Sequence, residues 1–196
     1  MRAQALLHSP NLCDQFYAAF ELRCALERVF LDYLHLVYRS HDRPLPEEFT
    51  KKQNLYKPSA FLNELRAKDP EVVLRMRFSR LVSTRLGLIR SGKPIDPQWV
   101  ADAHQSLDEY LHAQKDHIAT VGSAEWREEL SQRLKAIAQE LYDMLEPGLS
   151  YMNPEKMLPS GRAVYESMKK QNLSDDAVLR MLDLSDLTGG KYRQVY

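Results

Sequence analysis

The sequence predicts an all-helical fold, and three observations carry that expectation. Proline and glycine fall at the ends of apolar-periodic segments, sustained period-two alternation is missing, and long stretches repeat apolar residues at spacings of three, four and seven. The architecture expected is an antiparallel bundle of four to five main helices in residues 1–148. A short helical C-terminal extension with a mobile tail should follow in residues 149–196. A chain of 196 residues, 44% hydrophobic and 28% charged, is enough for one such core and excludes disordered or collagen-like classes.

Each element has its own signal. Ser9-Pro10 offers a cap and a first-turn proline, after which Leu12, Phe16, Ala19, Leu26, Phe30, Tyr33 and Val37 share one face of a helix reaching about Ser40. Weaker helical pieces follow at 46–54 and 59–67. Asp69-Pro70-Glu71 opens a strong helix that ends before Gly92, and Asp96-Pro97 opens another reaching about Ile118. Ser123 caps a fourth, with Trp126, Leu130, Leu134, Ile137, Leu141 and Met144 on one face and Pro147-Gly148 as its stop. These four long helices are the expected bundle. In the extension, a helix around 162–171 and a short one capped at Ser174-Asp175-Asp176 precede Gly189-Gly190 and a polar tail.

Composition narrows the function classes. The 27 Lys and Arg balance 27 Asp and Glu, which gives no support to a whole-chain electrostatic grip on nucleic acid or membrane. Cys13 and Cys24 are the only cysteines, so a disulfide framework or thiolate zinc site is not expected and a reducing, cytoplasmic setting fits. No apolar run reaches the roughly 18 residues of a membrane span, and the first residues lack a signal-peptide core. With seven glycines and no phosphate loop, nucleophile elbow or dinucleotide fingerprint, no cofactor is expected.

The neutral total hides an uneven distribution. Residues 69–93 carry six basic groups against two acids, whereas residues 94–146 carry eleven acids against four basic groups. Helices neutralising each other across a bundle explain this most simply. The alternative is a phosphate-binding surface for RNA made by Arg77, Arg80 and Arg90. Helical rotation also brings Arg23, Glu27 and Arg85 within apolar arcs, Arg85 as a candidate partner of Glu27. Such groups either snorkel at the core edge or form a polar device at a helix or subunit interface. His104, Asp108, His112 and Asp116 recur every fourth residue, but the stripe drifts to the solvated side, so no metal site is expected.

The opening helix, FYAAFELRCALERVFLDYLHLVY, resembles the first long helix of HEPN domains, with the AFELRCALE stretch and the later SLDEYLHAQ helix carrying the likeness over about residues 9–146. HEPN domains are all-helical bundles of bacterial and archaeal toxin, defence and RNA-processing systems and of a few eukaryotic proteins. Active members are dimeric, metal-independent endoribonucleases with an Arg, four to six residues, then His, a spacing met by Arg28 and His35. The resemblance implies that Arg28 would stabilise phosphate charge while His35 acts as general acid or base. The residues alone give a second reading: both lie opposite the core stripe, where Arg28 can pair with Asp32 on a solvated face. The expectation that joins these readings is a non-catalytic, homodimeric protein-interaction module that also engages an unidentified partner protein, within a prokaryotic defence or toxin-type system. Its alternative is an RNA-binding or RNA-cleaving domain.

Overall fold

The structure, a computed structural model, describes residues 6–9, 11–47, 58–88, 95–112, 123–145 and 151–183. Among the described residues the chain is helical throughout, with no strand. The helices are α1 (Leu12–Ser40), α2 (Pro58–Lys68), α3 (Val72–Arg85), α4 (Pro97–His112), α5 (Ala124–Leu145), α6 (Pro159–Gln171) and α7 (Asp175–Asp183), with one 3₁₀ turn at Pro154–Lys156. The expected 46–54 piece and the tail fall largely outside the described residues.

The long central helix α1 organises the bundle because its buried arc faces three partners, α2, α4 and α5. Ala18, Ala19, Leu22, Leu26, Phe30, Leu34 and Val37 recur at helical spacing on that arc and pack with Phe61 and Leu65 of α2, Val100 and Leu107 of α4, and Leu134 and Leu141 of α5. Phe30 and Phe61 stack with centroids 6.3 Å apart. The N-cap of α1 is Asn11, whose side chain accepts a 2.9 Å hydrogen bond from the Cys13 amide. Ser9, the expected cap two residues earlier, instead donates to Asp14.

The helix α3 departs from the expected four-long-helix bundle. Its first turns contribute Val72 and Met76 to the main core, but Phe78, Leu81 and Val82 turn to a second apolar cluster with Val164, Tyr165 and Met168 of α6 and Val178 and Leu182 of α7. The short α2 takes the place beside α1 and α4 instead. The helix also stops early. Gly87 adopts φ +70°, and the Leu88 amide reaches back 2.8 Å to the Ser83 carbonyl, a closure that favours glycine and leaves Leu86 and Leu88 exposed rather than in an apolar arc. The extension is therefore packed on α3 through its own core.

A polar network closes the seam between the two clusters. Asp69 is buried, ion-paired with Arg75 at 3.1 Å and hydrogen-bonded by the Tyr151 hydroxyl. Arg75 also donates to Asn153 at 3.1 Å, and the Ser79 hydroxyl accepts from the Met152 amide at 2.6 Å. Glu71 receives the Tyr165 hydroxyl at 2.7 Å and the Lys169 ammonium. These bonds satisfy groups that would be costly to bury alone.

Candidate interaction surface

Rotation at 100° per residue places Cys13, Tyr17, Phe20, Cys24, Leu31 and His35 in one row along α1, opposite its buried arc. Tyr17 is 64% exposed and Phe20 53%, the two cysteines are exposed, and only Leu31 is partly covered. Large aromatics left bare in a continuous helical row mark an unfilled contact far more than scattered surface residues do. The sequence carried the signal: two aromatics and two thiols spaced four, three and four apart lie outside the arc that the core requires.

The second half of this face is basic. Arg28, His35, Arg39 and Arg43 line a shallow, open concavity of about 530 Å³ together with Asp32, Leu36, Pro44 and Leu45. Arg28 pairs with Asp32 at 2.9 Å and remains well exposed. The structure thus brings Arg28 and His35 onto one concave face, two helical turns and about 10 Å apart along the axis. Toward its start the same face is flanked by Asp14 and Glu21.

Behind the row, a partly buried charge cluster links α1 to α4. Arg23 Nε lies 3.1 Å from Glu27 Oε1, Glu27 Oε1 lies 2.9 Å from His104 Nε2, and Arg23 Nη1 lies 2.9 Å from Asp108 Oδ1. His104, where the stripe leaves the core edge, is only 2% exposed, whereas His112 is exposed, so the stripe does drift toward solvent along α4. The reason is that α4 turns its first two turns toward the polar edge of α1, where Glu27 receives the imidazole. Asp116 and His117 lie outside the described residues. With Arg23 among its carboxylates this cluster is already charge-compensated, and no group of three or more metal-type ligands occurs among the described residues.

Arg85 has a different partner from the one expected. It pairs with Asp183 at the end of α7 and is half exposed, because the second half of α3 faces the extension and not α1. Arg77 and Arg80 both hold Asp175, at 2.7 and 2.6 Å, and Arg77 also donates to the Leu173 carbonyl at 2.6 Å. They clamp the start of α7; Arg90 lies outside the described residues. Arg75, Arg77, Arg80 and Arg85 of α3 thus pair with Asp69, Asp175 and Asp183.

Among the described residues no helix is long and apolar enough to cross a membrane. No protein-family model matches the chain, and comparisons with curated proteins and with solved structures give no match either.

Proposed function

We propose that this chain is a non-catalytic, homodimeric protein-interaction module that docks through the outer face of α1. The observation that carries the reading is the pair Tyr17 and Phe20, bare on a helix whose opposite face is fully buried. The charge cluster supports it by holding α1 rigidly, so the face is presented preformed and little ordering entropy opposes association. Light scattering on the purified chain and on the double variant Tyr17→Glu, Phe20→Glu tests it. The reading expects a dimer that becomes monomeric with unchanged helical content in the variant; a variant that remains dimeric would refute it.

A second reading rests on the concavity lined by Arg28, His35, Arg39 and Arg43: an RNA-directed role in which these groups meet phosphates, as the HEPN resemblance implies. Binding of short RNA that weakens steeply with salt and is lost in Arg39→Ala, Arg43→Ala supports it, and cleavage lost in Arg28→Ala and in His35→Ala extends it to catalysis. Absence of binding at low salt removes it.

A further inference from the structure

The charges flanking the exposed row of α1 are not symmetric along the helix. Asp14 and Glu21 flank its first half, where Tyr17 and Phe20 stand exposed. Arg28, His35, Arg39 and Arg43 dominate its second half, with Asp32 held by Arg28. The face is therefore complementary to itself in only one direction. Laid parallel, two copies would set Arg28 against Arg28 and Glu21 against Glu21. Laid antiparallel, they set aromatic and acidic groups against cationic ones.

We propose that two copies of this chain pair antiparallel along α1, outer row to outer row, with the two-fold axis beside Cys24. The proposal rests on the reading of α1 as a self-docking face and deepens it by fixing the partner's orientation and register. An axis at Cys24 lays each other member of the row against an outer-face residue of the second copy and sets Cys24 beside its own counterpart. Cys13 meets His35 of the partner subunit, Tyr17 meets Leu31 of the partner subunit, and Phe20 meets Arg28 of the partner subunit. A two-fold contact demands such self-complementarity. The Phe20 ring then lies where a guanidinium can sit over its face, and Glu21 falls beside the same arginine. Each basic concavity gains an aromatic wall from the other copy, and both exposed aromatics are covered.

The two native cysteines read the orientation directly. In the antiparallel register the Cys24 thiols adjoin across the axis, whereas the Cys13 thiols stand about 33 Å apart at 1.5 Å rise per residue. The test treats the full chain, in the single-cysteine variants Cys13→Ser and Cys24→Ser, with a short bismaleimide at mildly alkaline pH. Partial desolvation, with Glu27 and Glu21 nearby, raises the exposed Cys24 thiol above its ordinary range, so alkaline conditions supply its thiolate. The expected result is a covalent dimer from the variant that keeps Cys24 and none from the one that keeps Cys13. Equal crosslinking through Cys13 would mean a parallel pair and would overturn the proposal while leaving the self-docking reading intact. A dimer by mass that neither cysteine crosslinks would also overturn it, placing the seam elsewhere. A monomer by mass would overturn both. As a second measurement, Glu21→Arg and Arg28→Glu should each weaken the dimer about tenfold, and their combination should restore it. Failure of the combination to recover affinity counts against the register.

Discussion

Glu27 Oε1 sits 2.9 Å from His104 Nε2, and this contact joins the polar edge of the central helix to the first half of α4. Arg23 completes it by spanning Glu27 and Asp108, so four charged or titratable side chains meet at the partly buried edge of an otherwise apolar junction. Each is affordable only because the others are there. Removing Glu27 leaves the mostly buried guanidinium with Asp108 alone and takes from His104 its 2.9 Å partner.

Glu27→Ala is therefore expected to destabilise the fold by about 2–4 kcal/mol, somewhat below the loss for a fully buried ion pair because Arg23 and Glu27 keep slight access to water. Urea unfolding followed by circular dichroism measures it. A loss under about 0.5 kcal/mol, the range of ordinary surface changes, would show that the cluster does not hold α1 to α4.

Asp175 receives both Arg77 and Arg80 at the start of α7. Asp175→Ala should loosen α7 first, since this short helix is otherwise held by Val178 and Leu182 in the second cluster and by the half-exposed Arg85–Asp183 pair. Hydrogen exchange should speed up in α7 and remain unchanged in α1, α4 and α5. Uniform acceleration throughout would mean that the extension and the bundle unfold as one unit.

Stability should fall at both ends of the pH range, for reasons located in the seam. The Lys169 hydrogen bond, with that of Tyr165, holds the Glu71 carboxyl below its ordinary value. Its contribution is present above the unfolded carboxyl's value, about 4.3, and is lost as pH falls through the depressed folded value. On the alkaline side, burial raises the Tyr151 and Tyr165 phenols, helped by Asp69 and Glu71 respectively. Their contribution is full below about pH 10 and is lost as pH rises toward the elevated folded values. Glu71→Gln should flatten the acid limb of a melting-temperature profile, and Tyr151→Phe with Tyr165→Phe the alkaline limb. Profiles unaltered by these changes would rule out the seam as their origin.

How far the fold was legible in the sequence depended on how local each cause was. The course of α1 followed from its 3.6-residue periodicity, and the cap of α5 from Ser123, which accepts from the Trp126 amide at 3.1 Å. The placing of α3 was not legible, because Leu81 and Val82 are apolar enough for either core and only the docking of α6 and α7 decides between them. The partner of Arg85 went with that decision. Arg23 and Glu27 were legible as polar groups within an apolar arc, but His104 was not legible as their companion, since its burial depends on how α4 rotates against α1. Tyr17 and Phe20 were present as a row in the sequence and acquired meaning only with their 64% and 53% exposure in the fold.

On the proposed reading, the outer face of α1 is where this chain meets its own copy. Sedimentation equilibrium of the unmodified protein across a micromolar concentration series tests it most directly. Self-docking through α1 gives a reversible rise from the chain mass of 22.8 kDa to about twice that value, abolished in Phe20→Glu. A species that stays at 22.8 kDa throughout the series would contradict it.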